Sequence, residues 1–150
     1  MKIALASDHG GLALKNVILE YLKAHGYEYI DFGTTSENSC DYPDFGLLAA
    51  ESVASGECER GIFVCTTGIG ISIAANKVPG IRCALCTDAT CARLTREHND
   101  ANVLALGGGI VGANLALDIV ETFLTTEFSH LEKHQRRIDK IALIEKKYCK

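Results

Sequence analysis

Short apolar runs and amphipathic stretches alternate along the entire chain, and this alternation restricts the fold more than any other feature. Ile3–Ser7, Tyr27–Phe32, Gly61–Cys65, Ile81–Cys86 and Val103–Leu106 read as strands. A helical stretch follows each of them. The first is Leu12–His25, with apolar positions Leu12, Val17, Leu19 and Leu22, stopped by Gly26. The next is Asp44–Ser55, behind Pro43 and a polar loop from Gly33 to Asp41. After Gly70 a short one runs to about Lys77, and Ala89–His98 and Ala113–Thr125 complete the set. Strands that are almost continuously apolar are buried on both sides, so five βα units in series require a parallel sheet covered by helices on both faces. The expected architecture is a three-layer α/β, Rossmann-like fold with a five-stranded parallel sheet and an extra C-terminal helix. That helix, near Leu131–Lys147, has no strand after it and must pack on the domain edge or on a second subunit.

The 150 residues fit one domain spanning residues 1–150. Hydrophobic residues at 47%, charged residues at 23% and only two prolines exclude disordered and fibrous classes. No apolar run is long enough to cross a bilayer, and Met1–Leu5 enters a strand without a signal-peptide pattern, so the chain is expected in the cytoplasm. The net charge of −4 is unevenly spread: residues 133–150 carry +5, leaving −9 on the rest. An acidic chain of this kind is a poor nonspecific nucleic-acid binder. Its basic tail is either a solvated helix face or a source of cations for an anionic ligand. The seven cysteines are an odd set for a disulfide framework. Cys83-x-x-Cys86 lacks a second half-site and reads as two small hydrophobes in a buried strand, so no metal is implied.

Ligands of such sheets bind beyond the C-terminal strand ends. There the most informative segment is Cys65-Thr66-Thr67-Gly68-Ile69-Gly70. Glycines and threonines between a buried strand and a helix form a tight turn with outward amides, suited to anionic oxygen. A thiol at the strand tip, beside a helix N-terminus, adds a base or nucleophile next to an oxyanion hole. The other reading is a buried strand-end cysteine on an ordinary glycine turn. No GK[ST] follows, so this is not a nucleotide-binding Walker loop. Asp8-His9-Gly10-Gly11 closes the first strand, with Asp8 either a helix cap or a ligand contact. The His98–Asn102 cluster is either a polar turn or the site of an acid–base histidine. Gly107–Gly112 matches G-x-G-x-x-G, but it follows the last strand, and no later strand carries a ribose-binding acid. A phosphoacceptor site would require an acid at the third strand tip, where Cys65 stands.

Ser7–Gly11, Asp41-Tyr42-Pro43, Cys65–Lys77, Gly80-Ile81-Arg82, His98–Leu104 and His134–Ile138 together resemble the type B ribose-5-phosphate isomerases, from Ile3 to about Ile144. That family also includes enzymes acting on galactose and allose 6-phosphates. The resemblance implies aldose–ketose isomerisation through a cis-enediolate, without metal or other cofactor. It implies that Cys65 moves the proton between C1 and C2 and that Thr67 assists at the substrate oxygens. The Thr66, Gly68, Ile69 and Gly70 amides would hold the enediolate. By the same resemblance His98 opens the sugar ring, Asn99, Asp8 and His9 contact the sugar, and Lys133 and Arg137 hold the phosphate. A homodimer would share each site, the His98 block coming from the other subunit, with dimer or tetramer left open.

Two positions depart from the family pattern. Lys133 stands where arginine is common, and Gly109 aligns with another phosphate-contacting arginine. Lysine keeps charge but loses bidentate phosphate recognition, so a weaker phosphate grip and tolerance of unphosphorylated sugars are expected. The rival readings are a galactose-6-phosphate or allose-6-phosphate isomerase and a non-catalytic sugar-phosphate sensor.

Overall fold

The computed structural model describes residues 1–148; Cys149 and Lys150, counted above, lie outside the described residues. The elements are β1 (Lys2–Ser7), α1 (Leu12–Ala24), β2 (Glu28–Asp31), α2 (Tyr42–Ala54), β3 (Arg60–Cys65) and α3 (Ile69–Ala75). They continue with β4 (Cys83–Leu85), α4 (Ala89–Asn99), β5 (Val103–Gly107), α5 (Ala113–Thr125) and α6 (Glu132–Tyr148). All five strands are parallel, in the order β2-β1-β3-β5-β4. The expected three-layer, Rossmann-like fold with a five-stranded parallel sheet is what the chain adopts.

The pleat sorts the central strands between two cores. Ile3, Leu5, Ile62, Val64, Leu104 and Leu106 face α1, α4 and α5. Ala4, Ala6, Phe63, Cys65, Val103 and Ala105 face α2 and α3. Small residues on the second face let α2 approach closely through Ala49, Ala50 and Val53. Each face therefore reads apolar along the central strands, which is the pattern that predicted burial on both sides.

Several local expectations change. Helix α2 starts at Tyr42 rather than Asp44, because proline is tolerated in a first helical turn, where its missing N–H has no partner to lose. In α1 the core-facing residues are Leu12, Leu14, Ile18 and Leu22, joined by Lys15; Val17 points outward. Helix α3 is shorter than expected, ending at Ala75 with Asn76 as its cap. Strand β4 is an edge strand of three residues, not a buried one, and Leu85 is exposed. The Asn76 side chain covers this edge, donating to the Cys83 carbonyl (2.9 Å) and accepting from its N–H (2.8 Å), as a neighbouring strand would. Cys86 is buried, and burial lifts its thiol to about 12 and that of Cys83 higher still. Both behave as small hydrophobes.

Helix α6 packs on α4, burying His134 and Ile138, and reaches the β4 side, where Glu145 accepts from the Gly80 N–H at 3.2 Å. Ile141, Leu143, Ile144 and Tyr148 on its C-terminal half stay exposed. No helix is long and apolar enough to cross a membrane among the described residues.

Candidate active site

Cys65 ends β3 level with Gly107 of β5, and Ser7 of β1 sits opposite Val64, so three neighbouring strands finish at one height. The loops beyond them interlock through glycine. Gly108 N–H donates to the Cys65 carbonyl and Gly109 N–H to the Thr66 carbonyl, both at 2.8 Å. A Cβ at Gly10 would overlap the Thr66 side chain, and one at Gly108 would sit 2.9 Å from the Gly10 carbonyl. Gly107, Gly108 and Gly109 thus serve close backbone approach to the neighbouring loops, whereas a Cβ at Gly112 would meet nothing.

The sulfur of Cys65 accepts a hydrogen bond from the Gly68 N–H at 3.1 Å. Gly68 holds a φ of +75°, and a Cβ there would strike Leu85 and the backbone at Leu106–Gly107. That turn aims a backbone donor at the sulfur, where charge rests when a thiol serves as a base. Thr67 Oγ1 accepts from the Ile69 N–H at 3.2 Å. Two of the amides expected to line the oxyanion hole, Gly68 and Ile69, are therefore committed to the loop's own side chains. Among the described residues the amides of Thr66, Thr67 and Gly70 make no hydrogen bond to the chain. Cys65 is 4% exposed while Thr66 and Thr67 stand open, so the thiol lies at the floor of the turn.

Asp8 takes the cap role: its Oδ1 accepts from the Gly11 N–H at 3.0 Å across the single 3-10 turn His9–Gly11. His9 Nδ1 accepts from the Cys40 N–H at 3.2 Å. A donor at Nδ1 leaves the proton of the neutral ring on Nε2, free to donate to a ligand oxygen. That bond also ties the 33–41 loop to the site. Lys15, 1% exposed, anchors the start of the same loop, with Nζ 2.7 Å from Asp31 Oδ2 and 2.8 Å from the Thr34 carbonyl. Tyr42 packs its ring against Gly70, where a Cβ would overlap it.

The remaining site residues form a second cluster at the other edge of the sheet. His98 and Asn99 end α4, and the chain then turns through Asn102, whose carbonyl accepts from Gly61 N–H at the beginning of β3. From Val103 to Gly107 the chain climbs about 13 Å along β5 at ~3.3 Å per residue, so Cys65 and His98 do not meet within one chain. What His98 does meet is His134, with ring centroids 4.3 Å apart. Lys133 and Arg137 lie one turn apart on α6, exposed and without an acidic partner among the described residues, whereas Arg136 is held bidentately by Glu132. Asp100 and Asn102 of the same block are structural: both bind Arg82, and Asp100 also pairs with Arg96. A groove of 470 Å³ lined by Ile81, Cys83, Ile141, Ile144 and Tyr148 adjoins Asn99 but not Cys65.

The Ribose/Galactose Isomerase family model matches residues 3–141. The chain belongs to this family. A protein of Bacillus subtilis (strain 168) provisionally named a sugar phosphate isomerase is 52% identical over 148 residues, covering 98% of this chain and 99% of its own. Ribose-5-phosphate isomerase B of Escherichia coli (strain K12) is 45% identical over 146 residues, 97% of each chain. The solved structure of Clostridium thermocellum ribose-5-phosphate isomerase B superposes with a TM-score of 0.97 at 62% identity, covering 99% of both chains. For a member of the ribose/galactose isomerase family, the sequence reading overlooked Lys15, Ser129 and the pairing of His134 with His98. Lys15 carried no signal, since its partner Asp31 lies on a separate strand; His134 stood in the basic segment without an assigned contact.

Proposed function

We propose that the chain interconverts ribose 5-phosphate and ribulose 5-phosphate by thiol-based proton transfer, in sites assembled between two copies. The observation that carries this reading is the Cys65–Gly68 turn, in which a backbone N–H is aimed at the sulfur beside amides left without partners in the chain. His98 donates a proton to the ring oxygen as the C1–O bond breaks, while the C1 hydroxyl gives up its proton to water and becomes the aldehyde carbonyl. The Cys65 thiolate takes the C2 proton, and the electron pair passes through the C1–C2 bond to the carbonyl oxygen. The enediolate oxygens rest against the Thr66, Thr67 and Gly70 amides, and Thr67 Oγ1 assists proton exchange between them. The thiol then returns the proton to C1. Asp8 and His9 line the sugar from the β1 end, the His9 Nε2–H as a donor, with Asn99 across from them. Lys133 and Arg137, one helical turn apart, form a cationic pair for the phosphate.

The separation of the Cys65 cluster from the His98 cluster supports a homodimer in which each site takes one cluster from each copy.

The test uses ribulose 5-phosphate, which stays open-chain because its C5 oxygen carries the phosphate. The wild-type protein is expected to exchange one C1 hydrogen with solvent deuterium and to form ribose 5-phosphate. Cys65→Ala is expected to lose both by several orders of magnitude while still binding substrate. A Cys65→Ala protein with near-normal kcat would refute the assignment, and binding without exchange by the wild type would make the protein a sensor. The family also covers galactose isomerases, so faster turnover of galactose 6-phosphate would move the substrate assignment without moving the chemistry.

A further inference from the structure

We propose that His134 is the positioning residue for His98, holding the ring-opening imidazole in place through a tilted ring-to-ring contact that Ser129 anchors. The proposal rests on the assignment of His98 to ring opening. The two rings lie with centroids 4.3 Å and planes 38° apart. His134 is 4% exposed and His98 half-buried, so one member of the pair is fixed in the protein and the other faces outward. His134 is itself held: the Ser129 hydroxyl lies 2.7 Å from its Nδ1. Ser129 is in turn pinned to α4, its N–H donating to the Glu97 carbonyl at 3.1 Å, one residue before His98. The Leu131 N–H reaches the Ser129 hydroxyl oxygen at 3.4 Å, which holds that hydroxyl beside Nδ1. A closed circuit results, running from His98 through the ring contact to His134, through Ser129 to Glu97, and back along α4.

The charge state suits this role. Burial first, then the neighbouring His98, Lys133 and Arg137, hold the His134 pKa below the ordinary histidine value. A neutral ring places no like charge against His98, whose imidazole faces outward toward the sugar. The same facts argue against His134 as a phosphate ligand, since it is buried, uncharged and already bonded to Ser129.

Three variants and two reactions test the proposal. Turnover of ribose 5-phosphate requires ring opening, whereas C1 hydrogen exchange in ribulose 5-phosphate requires only Cys65. His134→Ala is expected to lower ribose 5-phosphate kcat about tenfold and to leave exchange unchanged, since misplacing an acid costs only the step it serves. His134→Phe, which keeps a ring against His98 but loses the bond to Ser129, is expected to recover part of the turnover that His134→Ala loses. The double variant His98→Asn/His134→Ala is expected to be no slower than His98→Asn alone, because His134 acts only through His98. Equal losses in both reactions for His134→Ala, or multiplicative losses in the double variant, would overturn the proposal. If His98→Asn alone leaves ribose 5-phosphate turnover intact, the ring-opening assignment falls and this proposal falls with it, while Cys65 chemistry stands.

Discussion

Mixing a Cys65→Ala copy with a His98→Asn copy should restore activity that neither has alone. Within one chain the two side chains lie at opposite edges of the sheet, separated by the full length of β5, about 13 Å and beyond the reach of a histidine side chain. In a twofold dimer that shares its sites, each site draws Cys65 from one copy and His98 from the other. A mixed dimer of the two variants then has one doubly defective site and one intact site. Random reassortment of equal amounts makes about half of the dimers mixed, so about a quarter of the wild-type sites are recovered. The background is low. On the proposed roles, Cys65→Ala lacks the base and His98→Asn loses a general acid worth on the order of 10²-fold. Co-refolding the two variants and measuring initial rates on ribose 5-phosphate should give roughly 25% of wild-type activity, and mixed dimers isolated with two affinity tags roughly 50%. Activity no higher than the mean of the two parents would refute the shared-site reasoning and require each copy to complete its own site.

Three further outcomes follow from particular contacts. Lys15→Met removes a buried ammonium bonded to Asp31 and to the Thr34 carbonyl, and should cost about 3 kcal/mol, or roughly 6–12 °C in Tm, by thermal and urea unfolding; a loss under ~1 kcal/mol would show the pair to be energetically idle. Gly109→Arg should lower KM for ribose 5-phosphate several-fold without affecting unphosphorylated ribose. Gly109 does not need a positive φ, and an added Cβ would lie 3.1 Å from the Thr66 carbonyl, so the variant's Tm is measured beside its KM. An equal change for both sugars would mean that the new side chain does not reach phosphate. His134, whose pKa is depressed in the fold, binds fewer protons there than in the unfolded chain. Stability should therefore fall as pH drops below about 6.5, and the fall should be shallower in His134→Phe; identical pH profiles would rule His134 out as a contributor.

The sequence carried the βα alternation plainly, and with it the layers of the fold, because a strand buried on both faces has no room for polar residues. It did not carry strand order. Ile81–Cys86 looked as apolar as the central strands, yet β4 closes the edge of the sheet, and what protects it is the Asn76 amide, a residue that pattern reading assigns to a helix end. Lys15 was illegible for a related reason. On α1 it occupies what looks like a solvent position, and only the approach of Asp31 and Thr34 from the far side of β2 makes a buried lysine tolerable. The Cys65–Gly70 turn was legible because its chemistry is local: glycine at a φ of +75° and a thiol three residues away specify one another. The ring contact of His98 with His134 is not local, and neither residue announces the other.

The division of the site has a simpler origin. In a parallel α/β chain, residues that follow a strand lie at one edge of the sheet and residues that follow a helix lie at the other. Cys65, Asp8 and His9 follow strands; His98 and Asn99 end a helix, and Lys133 and Arg137 begin the helix packed against it. A reaction that requires a base from the first group and an acid from the second cannot be completed by a short chain of this topology folded once. Either an extra excursion carries one group across the sheet, or a second copy supplies it. Here every connection between strands is occupied by a helix returning to the starting edge, and α6 stays against α4 instead of crossing. If pairing of two copies supplies the second group, as proposed, loss of the dimer should abolish isomerisation even where each chain stays folded.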